Sequence, residues 1–540
     1  MHGLMQDWPL TVDRVLDHAR DWHGTREIVT RSIEGPVVRQ TYAETTVRAR
    51  RLSNALLAHG VVPGDRIATL GFNTARHMEA WYGTMGIGAV CHTLNPRLHP
   101  DQLAYIVGHA GDRIILADPV AAPVLAAVLP RTPGVELVVW MTGAEALPDA
   151  PAGIGFEPFI AGHSDRCRWG GFDENTAAGL CYTSGTTGEP KGVLYSHRSN
   201  VLHTLMALQA DVMDLSARDV VLQVVPTFHA NGWGLPMSCP AVGAKLVLPG
   251  VRLDPASLCE LIQTEGVTFS AAVPTVWGAL LQHLDTTGAK LPTLKRVVIG
   301  GAACPPALIQ GFQDRHGVEV RHGWGMTETS PLGVVNTPDA DGGDWAQRFK
   351  QGRPPFGFEL RVTDEADRPL AHDGRTPGRL KARGPGVARA YFGREDAILD
   401  TDGFFDTGDI AAIDPAGFVQ ITDRAKDVIK SGGEWISSVE IEGLVAAHPK
   451  VELCAVIGLP HPKWDERPLL AVKLRPGETA SSADMLAALE GRIAAWWAPD
   501  EVVFVDDIPL GATGKVDKKL VRARFAGHKL ASIATPEGPG

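Results

Sequence analysis

The segment Tyr182-Thr183-Ser184-Gly185-Thr186-Thr187-Gly188-Glu189-Pro190-Lys191-Gly192 follows the apolar run 177–181 and concentrates the residue types that hold phosphate. Glycines let the backbone approach a ligand closely, hydroxyls and amide hydrogens donate to phosphate oxygens, and Lys191 adds a positive charge. The loop is therefore a candidate polyphosphate cradle. It lacks the GxxxxGK[ST] spacing, so P-loop ATPase chemistry does not follow. Taken alone, the same composition also describes a mobile turn.

The remaining composition narrows what such a loop serves. At 540 residues the chain is several times the usual ~100–150 residues of one domain, so more than one folding unit is expected. Hydrophobic residues at 44% and charged residues at 21% suit a large buried core rather than a disordered chain. With 51 Lys+Arg against 62 Asp+Glu, the net charge of -11 gives no global attraction for nucleic acid. A polyanion must be held locally. The cysteines at 91, 167, 181, 239, 259, 304 and 454 form no CxxC pair, so neither a disulfide framework nor a zinc site is suggested and a reducing compartment fits. The opening MHGLMQDWPLTVDR does not read as a signal peptide, and a cytoplasmic location is expected. The stretch 220–244 lacks charged residues but is broken by Pro226, Pro236 and Pro240, which reads as buried strand, loop and helix rather than a membrane span.

The elements that must position the loop read as α/β. Short β-branched runs at 27–30, 66–70, 113–117 and 135–140 alternate with helical patterns at 42–59, 74–86 and 100–108. That alternation predicts parallel strands covered by helices, and runs at 220–225, 245–248 and 296–299 continue it. Over 352–422 the texture changes to short strands with frequent turns, a β-rich subdomain or small barrel. A boundary at Asp423–Arg424 then separates a domain over 1–423 from an α+β domain over 424–540, with helices expected at 438–447 and 482–495 and a disordered tail.

Further segments stand in a telling order: LNPRL at 94–98, PTFHANGWG at 226–234, GGAACPP at 300–306, HGWGMTETSP at 322–331, FFDTGD at 404–409, DRAKDVIKSGGEWISSVEIE at 423–442 and GATGKVDKK at 511–519. With the phosphate loop, this set resembles the adenylate-forming superfamily, which contains acyl-CoA synthetases, carrier-loading adenylation domains and beetle luciferases. CHTLNPRL, HANGWG and SGGEWISSVEIE are most similar to fatty acyl-CoA ligases of the medium- to long-chain type and to related 3-methylthiopropionate ligases. The resemblance implies a large domain of helix-covered sheets with a small β-barrel-like subdomain, hinged to a small α+β domain.

It also implies roles, residue by residue. Thr183, Ser184, Gly185, Thr186, Thr187, Gly188 and Lys191 would contact phosphates, and Thr183 with Glu328 would serve Mg²⁺. Gly301, Ala302, Ala303, Gly323, Trp324, Gly325, Met326 and Thr327 would form the adenine slot, with Trp324 where the family more often has Tyr. Asp409 would accept from the ribose hydroxyls, and Arg424 would contact ribose or phosphate. Lys515 would reach between the substrate carboxylate and the α-phosphate, where a cation offsets the repulsion of one anion attacking another. His229 would position the acid and Trp233 would gate an apolar tunnel, although a satisfied core histidine is the other reading of His229. Asp423 would be the hinge, absorbing backbone rotation without touching substrate. Lys430, Gly432, Gly433 and Trp435 would approach the adenylate or line the pantetheine channel.

The implied enzyme is an ATP-dependent acid:CoA ligase that takes a carboxylic acid, ATP with Mg²⁺, and CoA. It binds no nucleic acid, associates with membranes only transiently through apolar substrates, and forms a homodimer. A short acid such as 3-methylthiopropionate, or a carrier protein as acyl acceptor, are the alternatives. An oxygen-using luciferase shares the resemblance but rests on no residue of this chain.

Overall fold

The computed structural model describes residues 1–144, 147, 149–183, 189–338, 344–431, 434–511 and 515–530. Two large sheets dominate the first 340 residues. The seven-stranded sheet runs in the order Ile154–Gly155, Leu137–Trp140, Ile114–Ala117, Arg66–Leu70, Val90–Thr93, Ala177–Tyr182 and Gly192–Ser196. All its pairings are parallel except the last, where Gly192–Ser196 folds back on Ala177–Tyr182. The eight-stranded sheet runs Leu332–Asn336, Glu319–Gly325, Arg296–Ile299, Phe269–Ala272, Val220–Gln223, Lys245–Leu248, Glu27–Arg31 and Val37–Thr41, and its two edge pairings are antiparallel.

The expected elements form close to their expected limits. The helix Tyr42–Ala58 begins with a capping box from Thr41 and Glu44, and Ala75–Gly86 is capped by Thr74. Pro100–Ala110 starts on a proline, whose fixed φ suits the first turn, and ends at Gly111 in the left-handed region. The strand at 27–30 departs from the simplest reading, because Glu27–Arg31 pairs with Lys245–Leu248 in the other sheet. The helices Asp13–His23, Tyr42–Ala58 and Ala75–Gly86 share one core with strand residues of both sheets, including Ile67, Leu116, Val221 and Leu246. Two buried hydroxyls tie this layer down: Tyr42 donates to Ala244 O at 2.7 Å and Tyr82 to Pro236 O at 2.9 Å.

Residues 352–424 carry a four-stranded antiparallel meander, Glu359–Thr363, Gly378–Arg383, Phe405–Ile413 and Val419–Arg424. The small domain follows at once. Its sheet joins Glu434–Ile436, Ile429–Ser431, Asp465–Leu474, Val451–His461 and Glu501–Phe504, with separate apolar clusters around Val456 and Ile457. The helix Ser438–Ala446 matches its expected span. The second is shorter than expected: Ser482–Ala487 gives way to turns, and Gly491 at φ +69° precludes continuation, leaving Ala495–Trp497 as a single 3₁₀ turn. Among the described residues no helix is long and apolar enough to cross a membrane, and 220–244 is indeed strand, loop and helix. All seven cysteines are free and buried.

Gly352 joins the meander to the eight-stranded sheet. It bridges Val419, while Arg353 bridges Val335, and its φ of +107° suits no L side chain. A Cβ there would lie 2.1 Å from the Val335 carbonyl. Gly352→Ala is therefore expected to cost roughly 1–3 kcal/mol and lower the thermal unfolding midpoint by several degrees, as read by differential scanning calorimetry.

Candidate functional site

Strands of both sheets end at one cleft. Tyr182, Gln223, Ile299 and Gly325 are the last residues of their strands, and the segments that follow supply Thr183, His229, Gly300 with Gly301, and Met326 to the cleft wall. Crevices outside the carboxyl ends of parallel strands are the usual ligand sites of such sheets. The cleft encloses about 400 Å³, and its far wall comes from Thr407, Gly408, Arg424, Lys426 and Lys515.

The acid-facing end is built on an unusual turn. After Gln223 the chain is clamped by Asn73, whose Nδ2 donates to Gln223 O and Val225 O at 2.8 and 2.9 Å and whose Oδ1 accepts from Thr227 N at 2.8 Å. Ala230, Asn231, Gly232, Trp233 and Gly234 then take φ values of 38°, 45°, 57°, 52° and 76°, a full left-handed turn. Each non-glycine residue in it costs of order 1–2 kcal/mol. The turn turns Trp233 onto Gly300 and Gly301: a Cβ on either would lie 3.3–3.4 Å from the indole. The same point on Gly301 is 3.6 Å from Lys515 Cε, so Trp233, Gly301 and Lys515 meet.

Charge at this point is poorly solvated. Burial, with a further push from the Lys515 charge, lowers the His229 pKa to about 3, so the imidazole is neutral at physiological pH. Lys515 is itself held down to about 8, chiefly by burial and then by the Arg424 guanidinium, against the opposing pull of Asp409. Asp409 is 3% exposed. Its Oδ1 lies 3.1 Å from Arg424 Nε and its Oδ2 accepts from Trp324 Nε1 at 2.7 Å.

The opposite wall carries Glu328, 6% exposed, in the short turn after Gly325. Its Oε1 accepts from Tyr391 OH at 2.9 Å, and burial raises its pKa while Tyr391, Arg424 and Lys191 oppose the rise. Lys191 Nζ stands 4.7 Å above the Tyr391 ring, a cation–π contact. Thr183 N donates to Lys191 O at 2.9 Å, and Tyr195 OH fixes Thr327 O at 2.7 Å. Glu328 and the Thr183 hydroxyl are hard oxygen donors that fit a magnesium ion. Among the described residues no group of three or more His, Cys, Asp or Glu converges.

The structure thus brings together Thr183, Lys191, His229, Trp233, Gly301, Gly323, Trp324, Gly325, Met326, Thr327, Glu328, Arg424 and Lys515, with Asp409 just behind the wall. Four expected contacts fall outside it. Ala302 and Ala303 are exposed, because Gly301 at φ +81° turns the chain away. Lys430 and Trp435 lie on the small domain's hairpin, where Lys430 is exposed and its amide bonds Glu466 Oε2 at 3.0 Å. Ser184, Gly185, Thr186, Thr187, Gly188, Gly432 and Gly433 lie outside the described residues. Tyr391 and Asn73 lie outside every motif of the sequence, so no local signal marks them.

Asp423, expected as the hinge, is 1% exposed and accepts three hydrogen bonds. Its Oδ1 accepts from Arg424 N at 2.7 Å, and its Oδ2 from Ser438 N and Oγ at 2.6 and 2.7 Å. Lys518 completes the cluster, reaching Ser438 Oγ at 2.5 Å and Glu442 at 2.9 Å.

Known proteins resemble this chain along most of its length. The AMP-binding enzyme family model matches residues 16–392, and the AMP-binding enzyme C-terminal domain matches 440–515. The chain is 49% identical to the 3-methylmercaptopropionyl-CoA ligase of Ruegeria lacuscaerulensis over 97% of its own length and 99% of the relative. It is 45% identical to the medium-chain-fatty-acid–CoA ligase of Ectopseudomonas oleovorans over 99% and 100% of the two chains. Among solved structures it resembles the anthranilate CoA ligase AuaEII bound to anthranoyl-AMP, with 25% identity, a TM-score of 0.86 and coverage of 98% and 100%. ATP-bound MatB from Rhodopseudomonas palustris matches at 28% identity and TM-score 0.81, covering 95% and 99%.

The depressed Lys515 pKa can be read directly. Competitive acetylation at increasing pH, followed by mass spectrometry, is expected to give Lys515 a midpoint near 8, well below the ordinary lysine value of about 10.4.

Proposed function

The chain belongs to the AMP-binding enzyme family, and on that premise we propose an ATP-dependent, AMP-forming acid:CoA ligase whose acid is a medium- to long-chain fatty acid. The observation that carries this is the meeting of Lys515, His229 and Trp233 in one cleft with the adenine-slot candidates Gly301 and Trp324. A cation at the junction of an apolar pocket and a nucleotide slot is what adenylation of a carboxylate needs. A short thioether acid is the second reading, favoured by the 49% identity to a 3-methylmercaptopropionyl-CoA ligase.

In the first half-reaction a carboxylate oxygen of the acid bonds to the α-phosphorus of ATP, and the bond to the bridging oxygen of pyrophosphate breaks. Lys515 offsets the charge gathered between the two anions. Neutral His229 orients the acid by a hydrogen bond and adds no competing charge. Glu328 and Thr183 would hold Mg²⁺, which supplies neutralisation of phosphate charge when bound. In the second half-reaction the CoA sulfur attacks the acyl carbon, its proton passes to solvent, and AMP departs, a far better leaving group than oxide.

Both halves use one cleft if the domain over 424–540 turns about Asp423 against that over 1–423, withdrawing Lys515 and bringing in the hairpin with Lys430, Gly432, Gly433 and Trp435. Family resemblance supports a homodimer, the net charge of -11 suits a cytoplasmic location, and an apolar acid would draw the protein to membranes only transiently.

Three measurements test this. Lys515→Ala is expected to slow adenylate formation roughly 10²–10³-fold while thioester formation from supplied acyl-adenylate largely survives; equal loss in both halves removes the assigned role. Because the ammonium form acts, kcat/KM for ATP in the free enzyme is expected to fall as pH rises through about 8. A pyrophosphate-release assay over acids of increasing chain length, with and without CoA, separates the two substrate readings.

A further inference from the structure

Asp409 is held from two unequal sides. Arg424 faces it directly across the antiparallel pair Phe405–Ile413 and Val419–Arg424, with Nε 3.1 Å from Oδ1. Trp324 reaches it from a different sheet, donating from Nε1 to Oδ2 at 2.7 Å. Arg424 immediately follows Asp423, so any turning there displaces it. Trp324 lies in the strand Glu319–Gly325 of the large domain and stays where it is.

Packing fixes the direction of the indole N–H. The neighbouring strand carries Gly333, on which a Cβ would lie 2.4 Å from Trp324 Cζ3 and 2.5 Å from Cε3, so the ring lies flat against bare backbone. The ring also packs on the cluster of Val334, Val362 and Leu380, which joins the eight-stranded sheet to the meander. An indole N–H only donates, whereas an ionised carboxylate offers about four acceptor positions. With one taken by Trp324 and one by Arg424, about two are left, and a ribose presents two hydroxyls.

We propose that Trp324 is a positioning residue for recognition of the nucleotide sugar: its indole N–H sets the Asp409 carboxylate so that the free lone pairs accept from the ribose hydroxyls. Because the anchor belongs to the large domain, the sugar contact persists whatever the orientation of the small one. Trp324 thereby does more than offer an aromatic face. The proposal rests on the reading of the cleft as an ATP site.

The test compares pyrophosphate release with ATP, 2′-deoxyATP and 3′-deoxyATP in the wild type, Trp324→Phe, Asp409→Asn and the double variant. Trp324→Phe keeps an aromatic face and loses the N–H. Its preference in kcat/KM for ATP over the deoxy analogues is expected to fall about ten-fold, through KM for ATP, while its preference for ATP over GTP is unchanged. In the Asp409→Asn background the same change is expected to have no further effect on the sugar preference. An unaltered sugar preference in Trp324→Phe, or additive losses in the double variant, overturns the proposal. Should Trp324→Phe fold poorly, Trp324→benzothienylalanine, isosteric but without the N–H, gives the same readout. Wild-type protein that releases no pyrophosphate from ATP with any acid overturns the nucleotide reading itself, a result separate from the sugar comparison.

Discussion

Lys515 is poorly hydrated where the exposed guanidinium of Arg424 adds to its charge, with Asp409 as the near anion that offsets them. Like charges brought together away from water are costly unless an anion joins them. Much of the molecule is arranged around that imbalance. The sheets deliver backbone and small residues to the crevice floor, where glycines keep side chains from filling the space beside Trp233 and Lys515. A polyphosphate entering here meets a site already organised and electrostatically incomplete.

Rigidity at the opposite end has a separate origin. The left-handed turn from Ala230 to Gly234 is unfavourable by itself and persists because its flanks are fixed. Asn73 grips the chain before it, and the buried helix Leu235–Val242, to which Tyr82 bonds, begins directly after it. Strain stored between two fixed flanks presents the Trp233 indole against Gly300 and Gly301 instead of leaving it to solvent. Local backbone energy is thus exchanged for the placement of one side chain.

The α/β character, the parallel strands, the change of texture after residue 352 and most site residues were legible in the sequence. Those features rest on local periodicity, or on motif residues such as Glu328 and Lys515 that stay in sequence register with their neighbours. Partners distant along the chain were not legible. A β-branched run at 27–30 announces a strand but not that its neighbour is Lys245–Leu248. Nothing local foretells that Tyr391 will meet Glu328, or that the Trp324 indole will find Asp409. The helix expected to reach residue 495 stops short for a local reason: the apolar spacing continues, but Gly491 takes a left-handed φ.

Asp423 accepts three hydrogen bonds. Both of its oxygens are committed, it is shut off from water, and the Lys518 that braces its partner Ser438 lies three residues beyond Lys515. A buried acceptor stripped of its donor costs about 1–3 kcal/mol, so any rotation at this position that parts these contacts carries that cost. The proposed rotation of the cap is thereby braked by a carboxylate that does not line the cleft.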